Sequence, residues 1–335
     1  MRLLFSCVGR RVELVQAFLR AGEALGVELE IHGADSNGLA PALQWCHKRH
    51  IVPRIPEDNY IPVLLGLVQA EKIDVMVPLI DHELEKLSGA HEEFEAVGCR
   101  PIISSPDVVH TCRDKLLTHK YFTQHDIDTP KTWTAKELLQ GGRTLSFPYF
   151  LKPRFGSAGL GNHRLETLEA MRALSQQVPE PIVQEYVEGV EHTLDAYTGL
   201  DGKLRCVLAR RRLEVRGGEV TKSLLVMDPE LIEAGSRVIN SRSGWMGVIT
   251  IQCIQRSDGR IQFIEVNPRF GGGVPLSIRA GADFPRWLLM ELCGDEPDVR
   301  PDSFTDGLTM SRYDQSVFLN ESGSLFDAPP QEGLR

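Results

Sequence analysis

The chain has 335 residues, 42% of them hydrophobic and 25% charged, an ordinary globular composition but long for a single core. A formal net charge of −9 argues against a general nucleic-acid or anionic-membrane surface. The seven cysteines include no C-x-x-C pair, so neither a disulfide framework nor a zinc site is indicated and a cytoplasmic location is expected; no apolar run reaches the roughly 18 residues of a membrane span.

Residues 3–8 read as a buried strand, Gly9-Arg10-Arg11 as a turn, and 12–25 as an amphipathic helix with Leu14, Val15, Phe18 and Leu19 on one side. Further strands are expected at 29–35, 50–53, 75–80 and 100–103, with helices at 61–71 and 83–96. Such alternation predicts a parallel doubly wound sheet whose ligands bind beyond the strand carboxyl ends, here Gly9, Arg10, Asp35, Asp81 and His82. A dinucleotide site is disfavoured, because the first turn has one glycine and lacks G-x-G-x-x-G. Arg10 and Asp81 are either loop residues or substrate ligands.

Ser105-Pro106 supplies an N-cap and a first helical residue for a helix that carries Asp114-Lys115 and Tyr121-Phe122 and ends by Thr129-Pro130. A strand at 147–153 brings Lys152 up to the loop Gly156-Ser157-Ala158-Gly159-Leu160-Gly161-Asn162. Three glycines let backbone N–H groups approach phosphates, and an ammonium at a strand end is a natural phosphate charge, although a plain hairpin tip looks alike. The spacing is neither the Walker A nor the dinucleotide fingerprint. The strand 181–187, followed by Glu191 and Asp195, is of the kind that offers backbone groups to adenine and a carboxylate to ribose. In the strand 205–215, Arg210, Arg212, Glu214 and Arg216 share a face with Arg211 opposite, and Lys222 follows Gly217-Gly218. This is either a solvated edge that resists strand pairing or an anion clamp. Helices are expected at 228–241 and 285–293, and a last strand at 308–313 extended by 315–319.

The stretch from 248 to 269 carries the most specific signal. Two apolar runs flank Ser257-Asp258-Gly259-Arg260, and Asp-Gly between such runs marks a hairpin. Ile261, Phe263, Glu265 and Asn267 then share a face, and a two-residue turn sets Gln252 opposite Glu265. One carboxylate and two amides suit a hard divalent cation that takes its other ligands from water and phosphate. The alternative is a solvated strand that merely ends at Asn267-Pro268.

The order of these motifs, Asp114-Lys115, Lys152 with its glycine loop, Gln184-Glu185-Tyr186-Val187 with Glu191, Gln252, and Glu265-Val266-Asn267-Pro268-Arg269, resembles the ATP-grasp superfamily over about residues 1–320. Ser6-Cys7-Val8-Gly9-Arg10-Arg11 and Pro78-Leu79-Ile80-Asp81-His82-Glu83-Leu84 resemble stand-alone relatives of one synthetase unit of the carbamoyl-phosphate synthase large chain. The implied fold is α/β, an ATP-grasp fold behind a doubly wound parallel-sheet domain. Its expected parts are a pre-ATP-grasp domain (1–108), linking helices (109–145), a lid (146–190), a C-terminal subdomain (191–320) and a frayed tail (321–335).

The resemblance implies that Lys115, Lys152, Gly156, Ser157, Gly159 and Gly161 meet the phosphates, the backbone of Glu185 and Val187 adenine, and Glu191 the ribose. Gln252, Glu265 and Asn267 would hold magnesium, with manganese as its substitute. Arg269 would steady the transferring phosphoryl group, with Lys222 as a further basic residue. The anion-clamp reading adds Arg210 to the catalytic set and Arg212, with Arg10 and Asp81, to the substrate set. The implied activity is an ADP-forming ligase that activates a small carboxylate as an acyl phosphate for attack by an amine. Its substrate pocket is expected between the first domain's strand ends and the arginine strand. Full glutamine-dependent carbamoyl-phosphate synthesis is not expected of this chain alone. The alternatives are activation of bicarbonate or carbamate, and a non-catalytic ATP-binding accessory protein. Partners are small molecules, with neither nucleic acid nor membrane, and a homodimer is the default assembly.

Overall fold

Short buried strands alternating with amphipathic helices give the first part of the chain its parallel sheet. The structure is a computed structural model that describes residues 1–141, 144–157 and 159–321. By internal packing it divides into two units: Met1–Ile103 with Asp283–Asp298 and the segment from Arg312 onward, and Ser104–Ala282 with Val299–Ser311.

In the first unit the elements are β1 (Arg2–Ser6), α1 (Val12–Leu25), β2 (Glu30–Asp35), β3 (Lys48–Ile51), α2 (Tyr60–Glu71), β4 (Val75–Pro78), α3 (Asp81–Gly89), α4 (His91–Ala96) and β5 (Arg100–Pro101). The order β3-β2-β1-β4-β5, parallel throughout, is the doubly wound arrangement expected, with its switch point between β1 and β4. The single helix expected at 83–96 is two, broken after Gly89. Asp35 accepts the N–H groups of Gly9 (2.9 Å) and Asn37 (2.9 Å). The acid that closes β2 thus holds the first turn in place.

The second unit opens with α5 (Pro106–Arg113) and α6 (Lys115–Gln124). There follow β6 (Thr132–Thr134), α7 (Ala135–Gln140), β7 (Tyr149–Pro153), β8 (His163–Leu165), α8 (Leu168–Ser175) and β9 (Pro181–Glu185). Its first sheet is four-stranded and antiparallel, order β6-β9-β7-β8, and buries Leu151, Leu165 and Val183 with Leu138 of α7 and Met171 of α8. The sheet takes β7, β8 and β9 from the stretch expected as a lid and β6 from the stretch expected as linking helices.

Next come β10 (Val190–Thr198), β11 (Leu204–Arg216), β12 (Glu219–Val226), α9 (Pro229–Asn240), β13 (Gly247–Gln255), β14 (Ile261–Asn267), α10 (Val274–Arg279) and β15 (Thr309–Ser311). They form a six-stranded antiparallel sheet, order β14-β13-β10-β11-β12-β15. One face carries Leu194, Ala196, Val207, Ala209, Ile249, Ile251, Phe263 and Val266, packed with Tyr121 and Phe122 of α6 and Leu231 and Val238 of α9. Side chains alternate along a strand, so the polar residues between these line the other face. The extension expected at 315–319 is not a strand, and the tail beyond 321 lies outside the described residues. The last helix, α11 (Phe284–Cys293), packs on α1 in the first unit. No described helix is long and apolar enough to cross a membrane.

Candidate active site

Cross-strand partners share a face, so the ladder registers define the polar surface of the six-stranded sheet. Glu265, Gln252, Thr193 and Arg210 make one row across β14, β13, β10 and β11. Asn267, Thr250 and Asp195 make the next row. Gln252 pairs with Glu265 as the hairpin pattern predicts, but by another route. The loop has three residues, Ser257-Asp258-Gly259, closed by an Arg256 N–H to Arg260 O bond of 2.8 Å, with Gly259 at φ +85°. That loop alone would shift Gln252 off Glu265. A bulge at Ile264 shifts the register back. It also corrects the expected face: Ile261 and Phe263 turn to the hydrophobic core with Val266, while Glu265 and Asn267 turn to the polar side.

Arg210 is fully buried and bound fork to fork by Asp195, Nε to Oδ2 at 2.6 Å and Nη2 to Oδ1 at 2.9 Å. Ser277 of α10 donates its hydroxyl to the same carboxylate at 2.6 Å. Arg210, expected as a catalytic cation, is therefore engaged in a structural pair. The glycine run after Arg269 lies flat on this face. A Cβ at Gly273 would overlap the Arg210 guanidinium and lie 2.8 Å from Val220, and one at Gly271 would come within 2.7 Å of Thr250 Oγ1. Arg269 is set by backbone bonds: its N–H donates to Asn267 O (2.8 Å) and its carbonyl accepts from Thr250 Oγ1 (3.1 Å).

In the four-stranded sheet, Lys152 on β7 is buried and donates to Gln184 Oε1 at 3.1 Å. Burial pushes its ammonium pKa down to about 8; the Glu265 charge opposes that shift and the Lys115 charge adds to it. Lys115 at the start of α6 and Glu265 on β14 thus both act on the charge of Lys152. Lys115 starts α6 and donates to Gly156 O at 2.6 Å. Asp114 caps that helix, accepting from Leu116 N at 2.9 Å, and is clamped by both guanidinium arms of Arg154. Burial alone would raise the Asp114 pKa, yet Arg154 and the cap N–H groups hold it below the usual carboxylate range. In the glycine loop Gly159 and Gly161 adopt φ +69° and +74°, and a Cβ at Gly156 would press within 2.8 Å of the Pro153 ring. Ser157 O accepts from Leu160 N at 3.2 Å, while Ala158 lies outside the described residues.

The Glu185 N–H donates to Lys131 O at 2.9 Å, and Lys131 Nζ lies 3.6 Å from the Glu185 carboxylate. Val187 is buried two residues beyond β9. The imidazole of His119 on α6 feels both Lys152 and Glu185; burial, then Lys152, lower its pKa. His119 carries no motif in the sequence and Gln184 enters only as part of the 184–187 motif with no role of its own; the packing of α6, β7 and β9 relates both to Lys152.

Glu191 accepts from Arg212 Nη1 at 2.6 Å, so the expected ribose ligand and an expected substrate ligand are partners. Register shifts at Glu214 end the simple alternation of β11, so Glu214 and Arg216 do not continue the face of Arg210 and Arg212. Lys222 is half-exposed and paired with Glu214 at 2.7 Å, on β12, four strands from Glu265. In the first unit, Arg10 is exposed with Asp314 at 3.8 Å, and Asp81 is the first residue of α3. Among the described residues no group of three or more His, Cys, Asp or Glu side chains is arranged for a metal ion. A cation at Glu265 would therefore rest on that carboxylate, the amides of Gln252 and Asn267, and ligands brought by a nucleotide.

Comparison with known proteins agrees with this architecture. The family model of the PylC-like N-terminal domain matches residues 3–102, and that of ATP-grasp in the biosynthetic pathway with Ter operon matches 177–315. The chain is 21% identical over 291 residues to a formate-dependent phosphoribosylglycinamide formyltransferase of Bifidobacterium adolescentis, covering 75% of this chain and 70% of that protein. It is 24% identical over 234 residues to a carbamoyl phosphate synthase arginine-specific large chain of Halalkalibacterium halodurans, covering 65% of this chain but 22% of that one. Its fold is similar to the biotin carboxylase domain of Hydrogenobacter thermophilus 2-oxoglutarate carboxylase, with a TM-score of 0.74 at 16% identity over 92% of this chain and 73% of that one. The chain thus has an ATP-grasp fold, with a match to the PylC-like N-terminal domain over residues 3–102 and to an ATP-grasp family model over 177–315.

Proposed function

We propose that this chain is an ADP-forming ligase that activates a small carboxylate with Mg-ATP and joins it to an amine. The observation that carries this reading is the buried Lys152 ammonium, on whose charge both Lys115 and Glu265 act, with Gln252 directly across the ladder from Glu265 and Asn267 two residues beyond it. That is the charge pattern a metal-bound polyphosphate requires. The lysines take phosphate oxygens, and the glycine loop lets backbone N–H groups close over them. Glu265, Asn267 and Gln252 offer oxygens that fit a hard divalent cation, which when bound neutralises charge on the transferring phosphoryl group.

In the first step a carboxylate oxygen attacks the γ-phosphorus, the bond to the β-phosphate oxygen breaks, and ADP leaves. In the second, the amine nitrogen attacks the acyl carbon, the carbon–oxygen bond to phosphate breaks, and the nitrogen gives up its proton. No nucleophilic side chain is needed. The chain contributes positioning and charge neutralisation, with Arg269 steadying the phosphoryl group. Arg210 acts here through structure, holding the floor of the site against Asp195 and Ser277. The names of the relatives, one dependent on formate and one making carbamoyl phosphate, support a small acid. The second of them also supports the alternative of bicarbonate or carbamate.

The test is ADP release with Mg-ATP across pools of amino acids, hydroxy acids and bicarbonate, with hydroxylamine present to trap an acyl phosphate as hydroxamate. A hydroxamate from one pool identifies the acid. ADP without hydroxamate, with bicarbonate alone, selects the second reading. ATP binding with no turnover in any pool would turn the assignment to a non-catalytic accessory protein. Arg269→Ala is expected to lower turnover about 100-fold or more while leaving ATP affinity nearly unchanged.

A further inference from the structure

We infer that Gln184 is a positioning residue for Lys152, its amide locked in one orientation by Thr132 so that only its carbonyl oxygen faces the ammonium. The inference rests on the reading of Lys152 as a phosphate-binding lysine. Thr132 and Gln184 are cross-strand partners on β6 and β9, and Lys152 lies diagonally across on β7. All three are buried, at 7%, 6% and 5% exposure, so bulk water does not compete for their hydrogen bonds.

The direction of each bond follows from the end of the chain of contacts. Thr132 Oγ1 lies 3.0 Å from Pro130 O, a carbonyl that can only accept, so the hydroxyl proton is used there. What Thr132 then offers Gln184, 2.8 Å away, is a lone pair, and only the NH2 end of the amide can meet it. The carbonyl end is left for Lys152 Nζ at 3.1 Å, which as an ammonium can only donate. A backbone carbonyl thereby fixes the side-chain amide two links away.

The choice of an amide has a chemical consequence. A neutral oxygen holds the ammonium in place without cancelling its charge, whereas a carboxylate there would form a buried ion pair that competes with the phosphates. A reversed amide would point two N–H groups at the ammonium.

The test compares calorimetric Kd values for Mg-ATP and for adenosine, because a phosphate-directed lysine affects the first and a general structural role affects both. Gln184→Met is expected to weaken Mg-ATP about tenfold and adenosine by less than about twofold. Thr132→Val, which frees the amide to reverse, shifts Mg-ATP in the same direction, and Thr132→Ser restores it. In a Lys152→Met background Gln184→Met has no further effect on Mg-ATP. Equal losses for both ligands, no loss for either, or additive effects of the two substitutions would overturn the proposal. If Gln184→Met fails to fold, the Thr132 pair decides. Unchanged Mg-ATP binding in Lys152→Met alone would instead sink the phosphate-lysine reading, and this proposal with it.

Discussion

Asp195 and Arg210 lie diagonally across neighbouring strands of the six-stranded sheet, both essentially without solvent exposure and joined by two parallel N–H to O bonds of 2.6 and 2.9 Å. With Ser277 the carboxylate receives three donors, so its burial is compensated. Removing one partner leaves the other charge buried alone. Asp195→Ala is expected to lower stability by about 3–5 kcal/mol, and the pair Asp195→Leu with Arg210→Met to recover part of that loss. Urea unfolding of the three proteins checks it, and a loss below about 1 kcal/mol in Asp195→Ala would show the pair to be dispensable.

Gly273 touches the same guanidinium, and the expected effect of a methyl there is steric. Gly273→Ala should cost about 1–3 kcal/mol, because the Cβ would meet Arg210 and Val220, both buried and the first held by Asp195. Gly66, on the exposed side of α2 with nothing within 4 Å of a Cβ, is the control. Gly66→Ala should raise stability by up to about 1 kcal/mol. Thermal denaturation of both variants gives the two signs directly.

Lys152 makes two pH dependences. Burial lowers its pKa from 10.5 to about 8, so between those values the unfolded chain holds the proton more firmly than the folded one. Stability therefore rises with pH across that window, by about 3 kcal/mol, and the rise is absent from Lys152→Met. In the ligand-free enzyme the ammonium is charged below about pH 8. The kcat/KM for ATP should accordingly fall above that pH, as a profile from pH 6.5 to 9.5 would show.

Glu83, buried in the first unit, accepts from Tyr60 OH at 2.8 Å and from Leu79 N at 3.0 Å. Burial pushes its pKa above the ordinary carboxylate value, and those bonds offset only part of the shift. A raised carboxyl contributes stability that is complete below the unfolded pKa and lost as pH rises through the folded one. Gln mimics the neutral acid. Glu83→Gln should therefore gain on the wild type as pH rises from 4 to 8, whereas Glu83→Ala loses at every pH because the Tyr60 hydroxyl and the Leu79 N–H lose their acceptor. Denaturant midpoints at several pH values distinguish the two.

Local pattern alone revealed the parallel sheet, the lysine before a glycine loop, and the Glu-x-Asn strand end, because each is written in spacing over a few residues: strand–helix alternation, glycine density and period-two placement of oxygens. It missed β10 and β12, whose apolar residues are interspersed with the polar ones that line the active face, so neither reads as an apolar run. It reached the Gln252–Glu265 pairing through a two-residue turn, where the structure has a three-residue loop and a bulge whose offsets cancel. Only tertiary structure decided that Arg210 belongs to Asp195, that Glu191 meets Arg212, and that Gln184 and His119 attend Lys152. Those pairings join residues far apart in the chain. Burial selects them, since a charge or amide shut away from water must find its partner among whatever side chains the folded sheets bring within reach.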